Sequence, residues 1–319
     1  MSDPYQDPSV FLDSAITDET RALNEEIIAS LKDAPPMEDV PVEILRDDRL
    51  TGGGPFPERP VSDQAVERSI PGPAGDIGLR IIAPEKPKGI YLHFHGGGWV
   101  LGTNAQNDKM LDYYADNLGL VGISVDYRLA PENPYPAGPD DCEAVALWVV
   151  ENAKKEFGTD LITIGGESAG GHLAAVTLLR MRDRHSYTGF AAANLVYGVF
   201  DVGSSPSAAN WGDERLVLDT PNMEWFCRCF VPDASKRRDP EISPLYADLN
   251  DMPPALFTVG SKDLLLDDSL FMHARWLAAG NKGELAVYPG GPHGFTLFPS
   301  GNATAAMKRI AAFLAAHSA

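Results

Sequence analysis

Short apolar runs with the composition of buried strands alternate along this chain with helix-length runs, and few folds can accept such an alternation. Strand-like runs stand at residues 79–83, 90–95, 120–125, 161–164, 192–197, 255–259 and 284–288. Helical patterns come between the later ones. One runs from Asp140-Asp141 through Trp148 to Phe157 and closes at Gly158, one opens near His172, and one runs from Asp267 to Ala279 and closes at Gly280. A chain that returns through a helix after each strand predicts an α/β protein, with a mostly parallel central sheet covered by helices on both faces. At 319 residues and 44% hydrophobic content it can bury one large core and a smaller accessory layer.

Two regions break the rhythm. From Thr17 to Lys32 the apolar residues Leu23, Ile27, Ile28 and Leu31 recur at helical spacing behind a Thr17 or Asp18 cap, and Pro35-Pro36 stops the helix. Residues 50–62 read as loop, so a main domain is expected from about residue 63. Between Tyr197 and Ala255 lies far more chain than a crossover needs, holding Trp211, Trp225, Phe226 and Phe230. The expected structure there is a lid that excludes water and shapes a pocket; the plainer alternative is that these aromatics only pack the insertion's own small core.

Charge and cysteine usage exclude some partners. A formal net charge of -19 and a pI near 4.6 would repel nucleic acid and anionic membrane surfaces, so neither is expected as a partner. Cys142, Cys227 and Cys229 cannot all pair, and Cys227-x-Cys229 lacks the two-residue gap of redox and zinc motifs, which fits a reducing compartment. The first eight residues are acidic and polar where a signal peptide would be basic and then apolar. No run approaches the ~18 apolar residues of a membrane span, and a cytoplasmic location is expected.

Chemistry concentrates in Gly166-Glu167-Ser168-Ala169-Gly170, where the strand-like Leu161–Ile164 run meets the helical run that contains Leu173, Ala174, Val176 and Leu178. A sharp strand-to-helix turn would hold the Ser168 hydroxyl exposed, and the flanking glycines would let strand and helix approach closely. Ser168 is the candidate nucleophile. Its hydroxyl needs a base, and the base needs a carboxylate that fixes its tautomer. His293 follows the last predicted strand in a glycine-rich loop, where open α/β sheets place ligands, and is the candidate base. His172 lies one helical turn after Ser168 and is expected to pack, while His185, His273 and His317 read as surface residues. Asp263, just past the 255–259 strand, is the candidate acid and Asp267 the runner-up; a capping role accounts for Asp267 and Asp268. Attack on a carbonyl also needs donors aimed at the developing oxyanion, and His95-Gly96-Gly97-Gly98-Trp99 after a buried strand supplies main-chain N–H groups, with the Ala169 N–H beside them. His93-x-His95 has no third ligand at metal spacing, so no metal is expected.

Taken together these blocks resemble the hormone-sensitive-lipase-like esterases, bacterial family IV of the α/β-hydrolase fold. The resemblance rests on His95-Gly96-Gly97-Gly98-Trp99, Asp126-Tyr127-Arg128-Leu129-Ala130-Pro131-Glu132, Gly166–Gly171, Asp263 and His293-Gly294-Phe295, in that order. It implies a serine carboxylesterase acting on short- to medium-chain acyl esters through an acyl-enzyme on Ser168, with His293 as base, Asp263 as its orienter, and Gly97, Gly98 and Ala169 as oxyanion donors. It implies a small-molecule ester as partner, no cofactor, and a cap: residues 1–50 and 200–247 as cap, 51–199 and 248–319 as hydrolase core. Other acyl substrates, amide or lactone, and a non-catalytic small-molecule receptor on the same scaffold are the alternatives, and the oligomeric state, a homodimer included, stays open. Where many relatives carry proline after the acid, this chain has Leu264. Asp126-Tyr127-Arg128 reads as architecture, an arginine bracing the sheet end through carboxylates.

Overall fold

A computed structural model describes residues 7–52, 56–57 and 59–318. The polar start at residues 1–6, and residues 53–55 and 58 of the expected loop, lie outside the described residues.

Eight strands form one sheet: β1 (Val66–Gly72), β2 (Gly75–Ile82), β3 (Gly89–Phe94), β4 (Leu120–Asp126), β5 (Ile162–Glu167), β6 (Ala192–Val196), β7 (Ala255–Lys262) and β8 (Gly283–Pro292). Their order is β1-β2-β4-β3-β5-β6-β7-β8, antiparallel through β1, β2 and β4 and parallel from β4 to β8. β3 is buried along its whole length, as a strand covered on both faces must be, with Leu92 in register with Ile123 and Ile164. Helices α3 (Asp108–Leu118), α4 (Ala137–Phe157), α5 (Ala169–His185) and α8 (Leu266–Ala278) belong to the crossovers, and α9 (Gly301–Ala316) follows the last strand. The remaining helices are α1 (Asp18–Leu31) and α2 (Val42–Thr51) before the sheet, and α6 (Pro206–Asn210) and α7 (Thr220–Phe230) between β6 and β7. The expected start of α1 is met, since the Thr17 hydroxyl accepts from the Thr20 N–H at 3.2 Å.

Several elements depart from the sequence reading. β1 went unseen because only Ile70 of its seven residues is buried, so an edge strand of this kind carries no apolar alternation. α2 occupies Leu50 and Thr51, where loop was expected, and it buries no residue fully. It is held by Arg46, whose Nε and Nη2 donate to the carbonyls of Val100 (2.9 Å) and Ala130 (3.0 Å) while the fork meets Glu132. α4 begins at Ala137, ahead of the expected Asp140-Asp141 cap, because Asp141 instead accepts from the Arg128 N–H and Nε, both at 2.9 Å. That pair is the sheet-end brace read from Asp126-Tyr127-Arg128. His273 is only 3% exposed and edge-on to Phe257 at 5.6 Å, so the surface reading of this residue is wrong: α8 turns that face onto β7.

Candidate active site

Ser168 sits between β5 and α5 with φ 57° and ψ −118°, a strained conformation for a residue with a side chain. Its N–H donates to the Val196 carbonyl at 2.9 Å, which ties the turn to the neighbouring strand. The flanking glycines are forced by packing. A Cβ on Gly166 or Gly170 would overlap the Phe94 carbonyl oxygen, and one on Gly96 would come within 2.7 Å of the Glu167 oxygen. The turn can therefore be this tight only with glycine on both sides, and the tightness pushes the serine hydroxyl out beyond the sheet's carboxyl edge.

The loops after β7 and β8 meet that hydroxyl. β8 advances from Tyr288 to Pro292 while β7 advances only from Gly260 to Lys262, and the extra residues, with Gly290 at φ +71°, swing His293 over Asp263. His293 Nδ1 lies 3.0 Å from both Asp263 oxygens, and Nε2 lies 2.9 Å from Ser168 Oγ. Asp263 is 1% exposed; its Oδ1 also accepts the Leu265 N–H at 2.8 Å, so the acid loop closes with leucine rather than proline at 264. A carboxylate accepts only, which places the His293 proton on Nδ1 and leaves Nε2 free to take one from the serine. Tyr197 braces the ring edge-on at 5.0 Å and anchors its own hydroxyl on Thr296 Oγ1 at 2.6 Å.

The runner-up acid and the other carboxylate of α8 do different work. Asp267 accepts the Ser207 N–H at 2.9 Å. Asp268 does not cap α8; fully buried, it accepts the N–H groups of Phe200 (2.6 Å) and Asp201 (2.8 Å) and the Ser205 hydroxyl. It therefore fastens the chain that leaves β6 to α8, a role with no local sequence signature.

The glycine loop after β3 lies beside Ser168. Gly97 has φ +131° and a Cβ there would overlap the Leu101 carbonyl; Gly98 has φ +59° and its Cβ would overlap the Phe226 ring. Among the described residues no protein acceptor takes the N–H of either glycine, and both line the same cavity as Ser168 and His293. Behind the loop, Trp99 stacks on Phe230 at 4.4 Å and donates from Nε1 to His172 Nδ1 at 3.0 Å. His172 Nε2 then donates to the Ile242 carbonyl at 2.7 Å, and burial holds the ring neutral, down to about 4. Both its nitrogens are occupied, so it ties loop, α5 and insertion together, as packing rather than proton transfer. His93 is engaged through both nitrogens, bridging Ser124 Oγ and Glu167 Oε2 (3.0 Å each), while His95 stacks on Tyr127 at 4.3 Å and bonds the Gly96 carbonyl through Nδ1 alone. Among the described residues no group of three His, Cys, Asp or Glu is placed to hold a metal ion.

Above the serine lies a cavity of about 410 Å³. Its far wall comes from α1–α2 (Leu31, Leu45) and from the insertion (Val217, Met223, Phe226). Of the four aromatics singled out in the insertion, Phe226 faces the cavity. Phe230 packs behind Trp99, Trp225 lies against Phe226 at 4.9 Å, and Trp211 bonds within the insertion to the Glu214 carbonyl. Sequence reading missed five cavity residues with formal charge: Asp48, Arg49, Arg59, Glu167 and Arg215. Glu167 stood inside the motif, but nothing in its spacing revealed that its carboxylate turns inward.

The α/β hydrolase fold family matches residues 91–297. The chain is 33% identical over 251 residues to the carboxylic ester hydrolase LipN of Mycobacterium tuberculosis, covering 76% of this chain and 67% of that protein. It is 35% identical over 244 residues to the esterase LipI of the same organism, covering 70% and 73%. The hyperthermophilic esterase of the archaeon Pyrobaculum calidifontis superposes with a TM-score of 0.83 at 29% identity, over 94% of this chain and 98% of that one.

Proposed function

Because the chain belongs to the hormone-sensitive-lipase-like esterases of the α/β-hydrolase fold and is a carboxylic ester hydrolase, we propose that Ser168, His293 and Asp263 carry its reaction. The observation behind this reading is one imidazole bridging a strained, half-buried serine and a buried carboxylate at 2.9 and 3.0 Å. In the proposed sequence His293 Nε2 takes the Ser168 proton as Oγ attacks the ester carbonyl. The imidazolium that forms donates from Nδ1 to Asp263, which orients it and offsets its charge. The carbonyl oxygen becomes an oxyanion facing the N–H groups of Gly97, Gly98 and Ala169. His293 gives its proton to the leaving alcohol, leaving an acyl-Ser168. Water enters, His293 removes its proton, the hydroxide attacks the acyl carbon, and collapse returns the proton to Ser168 and frees the carboxylic acid.

Short- to medium-chain acyl esters are the proposed substrates, since a mostly apolar cavity of about 410 Å³ suits them. Residues 1–50 and 200–247 are taken as its cap. A cytoplasmic location fits three free cysteines and the absence, among the described residues, of any helix long and apolar enough to cross a membrane.

An activated p-nitrophenyl alkylphosphonate tests the nucleophile. One equivalent of p-nitrophenol should be released, with the phosphonyl mass on the peptide containing Ser168 alone; modification of a different serine would overturn the assignment. Gly97→Ala should lower kcat for p-nitrophenyl butyrate by about 10²- to 10³-fold, the usual effect of losing an oxyanion donor. The loop must move to relieve the overlap with Leu101, and the donor moves with it. A kcat within a few-fold of wild type, measured under saturating ester, would remove Gly97 from the oxyanion site.

A further inference from the structure

Three guanidinium groups line the catalytic cavity, and ester hydrolysis as described uses none; Arg215 meets Asp219 at 3.2 Å, which leaves Arg49 and Arg59 to be accounted for. Arg49 lies at the last turn of α2 and Arg59 beyond it, and both pack against the Phe56 ring, at 5.2 and 5.7 Å from its centroid. Elsewhere arginines meet carboxylates, as Arg46 does Glu132 and Arg80 does Asp108. For Arg49 and Arg59 no such pairing is found among the described residues. Nε, Nη1 and Nη2 of Arg59 are all buried, with no hydrogen-bond partner among the described residues. Among the described residues Arg49 hydrogen-bonds the neutral amide of Gln106 alone, Nε to Oε1 at 3.3 Å.

The acids nearby do not close the gap. Glu167 shares the cavity; its Oε2 accepts from His93 and Asn107, at 3.0 and 3.1 Å, its buried Oε1 bonds neither arginine, and one carboxylate faces two cations. Asp48 is an exposed residue on the cavity wall. Burial, and then the charge of Arg59, lower Arg49 to about 9, and burial lowers Arg59 as well; both keep their protons at neutral pH. Helix-dipole compensation would account for Arg49 at the end of α2, but not for Arg59, which is on no helix. Holding two like charges in a shared cavity without a bonded counter-ion is unfavourable, and the folded chain tolerates it where a ligand supplies the missing charge. Arg59 also lines an adjoining cavity of about 750 Å³, so a group bound there would still be within reach of its fork.

We propose that this cavity selects esters carrying a second group, a free carboxylate, which Arg59 and Arg49 hold while Ser168 attacks the ester carbonyl. The inference rests on the ester-hydrolase reading of the same cavity and narrows its substrates to monoanionic esters. A carboxylate suits the planar forks of paired arginines, which bind it through parallel N–H donors. It can belong to the acyl part, as in a half-ester of a dicarboxylic acid, or to the alcohol part.

Two matched pairs separate these sources: p-nitrophenyl hemiglutarate against p-nitrophenyl pentanoate, and 4-acetoxybenzoate against 4-methylphenyl acetate. In one pair the wild-type kcat/KM should favour the charged ester by about tenfold or more, the effect of a charge-assisted contact. Arg59→Gln should erase most of that ratio, whatever it does to the neutral rate; Arg49→Gln serves the same purpose if the first variant does not fold. Calorimetric titration with glutarate reads the arginines without turnover, and Arg59→Gln should weaken it by about tenfold. A wild type that prefers the neutral ester in both pairs, a ratio that survives both substitutions, or no glutarate binding would overturn the proposal. Neutral-ester turnover by the wild type, and its loss in Ser168→Ala, reports separately on the hydrolase reading.

Discussion

Ser168→Ala is expected to lower kcat/KM for p-nitrophenyl butyrate by about 10⁴-fold or more, with the melting temperature nearly unchanged. Among the described residues the hydroxyl makes one hydrogen bond, the 2.9 Å approach to His293 Nε2, and the main-chain bond to Val196 does not depend on it. Alanine keeps a Cβ and accepts the same φ of 57° at no greater strain than serine. Removing a single oxygen therefore takes away the group that attacks and little else. Turnover near the wild-type level in purified, folded variant would sink the proposed acyl-enzyme, because the residual effect of binding and oxyanion donors cannot supply that rate.

Asp263→Asn should cost kcat about 10⁴-fold while KM stays close to wild type. The asparagine oxygen can still accept the Leu265 N–H, so the acid loop has no reason to unfold. Its amide, however, donates where the carboxylate accepted. His293 Nδ1 must then become an acceptor, the ring proton moves to Nε2, and the nitrogen facing Ser168 can no longer receive a proton. The readout is a kcat-against-KM split with unchanged near-ultraviolet circular dichroism; a loss confined to KM would show that Asp263 only shapes the pocket. His172 offers the contrasting case, because Trp99 and the Ile242 carbonyl occupy both its nitrogens and it packs rather than transfers protons.

How much of this was legible in the residues follows from how local each cause is. The Ser168 turn is a contact between neighbours in sequence, so glycine at 166 and 170 records the close approach to the Phe94 carbonyl directly. The parallel strands carry their own periodicity, and β3, buried throughout, reads as continuous apolar chain. Asp263 and His293 could be nominated because both follow strand ends, where an open α/β sheet gathers its ligands. Edge strand β1 and helix α2 were invisible for the opposite reason: they bury little, and Arg46 secures α2 through carbonyls on two distant loops.

The alternation of short buried strands with helices, and the glycine-flanked serine between two of them, were thus enough to set the fold class and the chemistry, because each is written in the spacing of adjacent residues. Tertiary structure alone decided that Asp268 fastens the chain leaving β6, that α8 buries His273, and that Arg49 and Arg59 turn into the cavity with no bonded carboxylate among the described residues. Those outcomes depend on which surfaces meet after the chain has closed on itself, and a side chain's partner a hundred residues away leaves no mark on its own neighbourhood.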